Sequence, residues 1–212
     1  MLPPALSGAL GAVVGELTRA RGCHTVILFG SRARGDADAD SDVDLFGVGE
    51  SLSGSTFSKT AGGFDFDVTF ASESTVQEDP EEYLKIEDGL VLVQRASYGD
   101  DLLRRVKKIV LAGPPPLSAE ERAQRIHWLQ RMASRAARAD AEGRYRLSWL
   151  VSELPRVRFE LEGRYWLGPK RSLALLANFD PDFSELYDRL LDDPSAAAAA
   201  ACVRGLVVGS SA

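Results

Sequence analysis

Apolar residues recur every three or four positions over 5–20, where Leu6, Leu10, Val13, Val14 and Leu17 share one face of an expected helix ended by Gly22. The period then shortens. TVILF (25–29) is an unbroken β-branched and aromatic run, the composition of a buried strand. DVDLFGV (42–48) and FDFDVTF (64–70) predict two further strands, and in the second Asp65 and Asp67 take one face while Phe64, Phe66, Val68 and Phe70 take the other. The turn-rich stretch SLSGSTFSKTAGG between them is expected to join the two as an elaborated hairpin. GLVLVQ (89–94) predicts a fourth strand, and 100–112 an amphipathic helix with Leu102, Leu103, Val106, Ile109 and Val110 inward.

GPPPLS follows, and three successive prolines make it a connector. Ser118 and Glu121 have the spacing of a capping box opening the next helix. From there the pattern is helical throughout: 119–141, 144–162 with Pro155 inside, 171–177, 184–192, and an Ala-rich segment over 195–204. The expected fold is α+β: a small mixed sheet with flanking helices in a domain of residues 1–113, then an α-helical bundle domain of residues 114–212.

Composition narrows the function classes. The 45% apolar content suffices for a core, and no window approaches the run of about 18 apolar residues that a membrane span needs. MLPPALSGALGAVVGEL lacks the basic start of a signal peptide, so a cytoplasmic location and no membrane partner are expected. A net charge of −6 argues against a protein that grips long nucleic acid by its phosphates. Cys23 and Cys202 form no metal-ligand or disulfide pattern.

Candidate chemistry concentrates in GSRARGDADADSDVDL (30–45), with aspartates at 36, 38, 40, 42 and 44. An EF-hand loop counted from Asp36 would need Gly sixth and Glu twelfth; Ser41 and Gly47 stand there instead. Asp36, Asp38 and Asp40, separated only by alanine, form an acidic connector in solvent. Asp42 and Asp44 differ, because they flank Val43 and run into the apolar Leu45-Phe46. On a strand they point the same way, about 6.5–7 Å apart at Cα, where they would repel one another without cations. With a third acid from FDFDVTF they would hold two Mg²⁺ ions ~3.5–4 Å apart, the pair that clamps an in-line displacement at phosphorus. Just upstream, Gly30-Ser31 ends a strand in a form that lets backbone and hydroxyl approach a phosphate, with Arg32 and Arg34 adding charge. Neither a Walker A loop nor a dinucleotide fingerprint is present.

Together, GS (30–31), ARG (33–35) and SDVDL (41–45) resemble the nucleotidyltransferase superfamily that shares its fold with DNA polymerase beta. The resemblance implies that Gly30 and Ser31 hold the nucleotide's phosphates, with Arg34 and Ser41 beside them. It also implies that Asp42 and Asp44 bind the metals. The family's third acid fits DVTFAS from Asp67 better than from Asp65, which stays as the fallback. FELEGRYWLGPKRSLALLA resembles, less specifically, the helical domain of aminoglycoside-type nucleotidyltransferases, which helps form the acceptor pocket.

The implied reaction moves a nucleoside monophosphate, AMP from ATP or the equivalent from another NTP, onto a hydroxyl of a small acceptor such as an aminoglycoside-like amine. Antitoxin-type members, which modify or mask a partner protein, are the alternative; they usually stop near the end of the first domain, so the added helices favour the small acceptor. The chain is expected as a monomer or a homodimer. Glu153, on the polar side of 144–162 with Trp149, Arg156 and Glu160, is the candidate general base. Lys170, with Arg171, is a candidate to reach the triphosphate. His24 and His127 read as structural, and Trp128, Trp149 and Trp166 as helical core, with one of them lining the acceptor pocket as the alternative.

Overall fold

The computed structural model describes residues 4–52 and 54–208. The chain forms two compact units, Met1–Ala112 and Gly113–Ala212. In the first, α1 (Pro4–Arg21) leads to β1 (Thr25–Phe29), the short α2 (Gly30–Arg34), β2 (Val43–Gly49), β3 (Ser55–Ala61) and β4 (Phe64–Ser72). Then come α3 (Glu73–Glu78), a 3-10 helix (Pro80–Ile86), β5 (Leu90–Val93) and α4 (Tyr98–Ala112). The fold is α+β, with one five-stranded mixed sheet in the order β3-β4-β2-β1-β5.

The central strands are those with the strongest apolar runs, since they are covered on both faces. Along one face, Val26, Leu28, Val43, Leu45, Phe66, Val68 and Phe70 bury against Leu6, Leu10, Val13 and Leu17 of α1. On the other face, Phe46 meets Tyr83 of the 3-10 helix with ring centroids 5.0 Å apart. The alternation expected in 64–70 holds, with Phe66, Val68 and Phe70 buried and Asp65 and Asp67 exposed.

The expected hairpin between 42–48 and 64–70 is not formed. β2 and β4 lie side by side but run parallel, which a hairpin cannot join. The connecting stretch, apart from Ser53, which lies outside the described residues, contains a strand of its own: β3 runs antiparallel along the far side of β4. Gly62 and Gly63, both at positive φ (60° and 80°), make the tight turn between them. Its small polar residues gave β3 the look of a loop, yet exposed Thr56, Ser58 and Thr60 alternate with half-buried Phe57 and Lys59. The short α2, α3 and 3-10 helix were not signalled either, being too brief to show a period.

The second unit consists of α5 (Ala119–Ala136), α6 (Ala141–Leu161), α7 (Pro169–Phe179), α8 (Pro181–Asp192) and α9 (Ala196–Val208). The capping box forms: the Ser118 hydroxyl accepts from the Glu121 N–H while Glu121 accepts from the Ser118 N–H. Leu129, Leu150, Leu154, Leu176, Leu190 and Leu206 meet in one core. Pro155 stays within α6. The buried guanidinium of Arg158 donates to Asp180 Oδ2 at 2.5 Å and has Glu162 Oε1 2.7 Å away. Among the described residues no helix is long and apolar enough to cross a membrane.

Candidate active site

Strand register builds the site. Phe29, the last residue of β1, pairs with Asp44 of β2; Asp44 pairs with Asp67 of β4; Asp67 pairs with Ser58 of β3. Cross-strand partners project to the same side of a sheet, so one row at one end of the sheet reads Ser58, Asp67, Asp44, Phe29. Neighbouring strands are about 4.8 Å apart, which brings the Asp44 and Asp67 carboxylates within reach of a common ligand. Asp42 is exposed and lies just before β2, and its charge acts on Asp44. Asp65 is also on this side, one pleat along from Asp67, and receives a hydrogen bond of 2.6 Å from Thr60 Oγ1.

Two local devices shape the pair. Gly30 sits at φ +73°, and a Cβ at that position would overlap the Asp44 carboxylate, so only glycine lets the backbone lie against it. Ser58 Oγ donates to Asp67 Oδ1 at 2.5 Å, orienting that carboxylate from the edge strand. Burial raises the Asp44 pKa above the ordinary carboxylate value; Lys85 opposes the rise, Asp67 and Asp42 add to it, and Arg34 opposes it. The carboxylate pair therefore sits in a field that favours a bound cation.

The remaining motif residues hold the turn together. The Arg32 guanidinium donates from Nε and Nη2 to the Ser41 carbonyl at 3.1 and 2.5 Å and lies over the Phe64 ring. Ser41 Oγ accepts from the Asp38 N–H at 2.8 Å. Arg34 faces Asp36 at 3.3 Å and Asp88 at 3.5 Å. Ser31 is half-buried beside Gly30, and its carbonyl accepts from the N–H groups of Gly35 and Asp36. Asp36, Asp38 and Asp40 are exposed.

Two participants were missed by sequence reasoning. Ser58 lay in the stretch taken for a connector, although the alternation of Thr56, Ser58 and Thr60 carried a signal. Lys85, on the 3-10 helix, has its ammonium 5.0 Å from the centroid of the Phe29 ring. It also lines, with Thr56, Thr69, Glu82 and Tyr83, a hollow of about 570 Å³. Nothing in PEEYLKI marked it.

Glu153 and Lys170 belong to the second unit. Glu153 lines a cleft of about 410 Å³ there with Trp128, Trp149, Arg156 and Trp166. Its carboxylate makes no hydrogen bond or ion pair among the described residues; of the nearby cations, Arg156 lies over the Trp166 ring and Arg125 is paired with Glu160. Trp149 and Trp166, expected as helical core, are partly buried and pack against that core while also walling this cleft; Trp128 is exposed and edge-on to Trp149 at 4.4 Å. Lys170 is exposed at the start of α7. His24 is held by Thr25, with Nδ1 2.9 Å from Oγ1, and has Glu73 2.6 Å from Nε2, as a structural histidine would be.

A family model described as "Nucleotidyltransferase domain" matches residues 16–135, more than half of the chain. A search of curated proteins found no match. Among solved structures, the chain is similar to one titled "Crystal structure of nucleotidyltransferase-like protein from Exiguobacterium sibiricum 255-15 at 1.90 A resolution". The two share 14% identity over 96% of this chain and 75% of that one, with a TM-score of 0.42.

Proposed function

Given that the chain belongs to the nucleotidyltransferase domain family, we propose that it transfers a nucleoside monophosphate, AMP from ATP or its equivalent from another NTP, to a hydroxyl of a small acceptor and releases pyrophosphate. The observation that carries this reading is the register that sets Asp44 directly beside Asp67.

The donor set fits Mg²⁺. All three groups are hard carboxylate oxygens, and the Asp44 environment favours a nearby cation. Among the described residues no three His, Cys, Asp or Glu side chains are grouped so that they could hold a metal ion by themselves. Mg²⁺ does not require such a group, since one or two carboxylates together with substrate phosphates and waters ordinarily hold it. Asp42, Asp44 and Asp67 would hold the two ions. What Mg²⁺ supplies when bound there is charge neutralisation on the triphosphate and a lower pKa for the acceptor hydroxyl.

The chain's own residues position the reaction. Gly30 and Ser31 take the phosphates, with Arg34 and Ser41 beside them as further contacts to the nucleotide. Ser58 holds Asp67 in one orientation. The bond from the acceptor oxygen to the α-phosphorus forms as the bond to the β-phosphate oxygen breaks, and the hydroxyl proton passes to a carboxylate. Glu153 is the candidate base: it has no partner among the described residues, and it lines an aromatic cleft suited to a hydroxylated ring, such as that of an aminoglycoside-like amine. The helical unit is thus assigned to acceptor binding.

The test uses α-labelled ATP, Mg²⁺ and a panel of small hydroxylated amines. Label is expected on a small molecule, with release of pyrophosphate, and Asp44→Asn is expected to abolish transfer. Full activity in that variant would overturn the site, and label found on protein would overturn the acceptor class.

A further inference from the structure

A nucleoside triphosphate brings several negative charges, so its seat needs cations that the protein has not already neutralised. Two cations exert a field on Asp44, namely Arg34 and Lys85. Arg34 is shared between Asp36 and Asp88. Arg32, its neighbour, is spent on the Ser41 carbonyl.

Lys85 is placed differently. It is exposed and makes no ion pair among the described residues, Glu82 on the same hollow included. Its ammonium stands over the face of Phe29, 5.0 Å from the ring centroid. Phe29 is both the cross-strand neighbour of Asp44 and the residue before Gly30. The charge is therefore held over the end of the carboxylate row where the Gly30-Ser31 turn begins. A ring face locates an ammonium without taking up its N–H donors, which stay free for oxygen ligands.

We propose that Lys85 binds the β- and γ-phosphate oxygens of the donor nucleotide and stays with the pyrophosphate as it leaves; this rests on the nucleotidyl-transfer reading above. As the acceptor oxygen bonds to the α-phosphorus, the electron pair of the breaking bond moves onto the oxygen bridging to the β-phosphate. The ammonium neutralises the charge growing on that leaving group, and the acceptor proton goes to a carboxylate. Lys85 thereby supplies a positive charge in addition to that of Arg34, which is shared with Asp36 and Asp88.

The test compares the full chain with Lys85→Met and Lys85→Arg by calorimetric titration with Mg·ATP, Mg·pyrophosphate and adenosine. Lys85→Met is expected to weaken ATP and pyrophosphate binding by roughly ten- to a hundredfold and to leave adenosine binding unchanged. Lys85→Arg should recover most of the loss, which a merely structural role would not predict. Unchanged pyrophosphate affinity in Lys85→Met, or an equal loss of adenosine binding, would overturn the assignment. A wild-type chain that bound neither ATP nor pyrophosphate would overturn the nucleotidyl-transfer reading itself.

Discussion

Replacing Gly30 by alanine tests how tightly the turn and the carboxylate pair are built together. Two costs arise. The backbone at φ +73° is a left-handed conformation, worth about 1–2 kcal/mol against any residue with a Cβ. The added methyl also overlaps the Asp44 carboxylate, which has to leave its rotamer at about 0.5–1.5 kcal/mol. Gly63→Ala is the matched control: its φ is +80°, but open space surrounds the added methyl, so it carries the first cost alone. Thermal denaturation should therefore place Gly30→Ala below Gly63→Ala by about 2–4 °C for each kcal/mol of difference. Activity should separate them further, since moving a reacting group by about 1 Å costs on the order of a hundredfold. Gly63→Ala should keep its activity. Equal stability and equal activity in the two variants would refute the claim that Gly30 is required by its contact with Asp44.

Three further outcomes follow from named contacts. Because burial raises the Asp44 pKa, stability is greatest below the unfolded carboxylate value and falls as pH rises through the folded one, so ionised Asp44 is a liability at neutral pH. Asp44→Asn should thus melt higher than wild type without divalent metal, and adding Mg²⁺ should raise the melting temperature of wild type alone; a less stable Asp44→Asn would contradict this. Ser58→Ala removes the hydrogen bond that orients Asp67, so activity should drop by roughly threefold to thirtyfold while stability, at an exposed residue, changes by less than about 0.5 kcal/mol. In the second unit, Arg158→Met removes the partner of Asp180 and Glu162, both partly exposed, and should cost about 1–3 kcal/mol in chemical denaturation, an outcome that unchanged stability would exclude.

The sequence was most legible where one physical requirement dominated. β1, β2 and β4 showed themselves because buried strands need apolar runs, and SDVDL stood out because acids beside a core strand need a reason. β3 escaped because an edge strand with one solvated face has little apolar demand on it. Ser58 was hidden with it. Lys85 reaches the site from a short 3-10 helix by lying over Phe29, a contact between residues far apart in the chain.

The pair at 65 and 67 marks the boundary most clearly. Alternation by itself determined that both aspartates face away from the buried phenylalanines, since successive side chains on a strand point to opposite faces. It left open which of them stands beside Asp44, because sliding β4 by two residues along β2 preserves every buried position. Only the tertiary structure decided that, by pairing Val43 with Phe66 and Asp44 with Asp67 in a parallel contact between strands separated in sequence by β3.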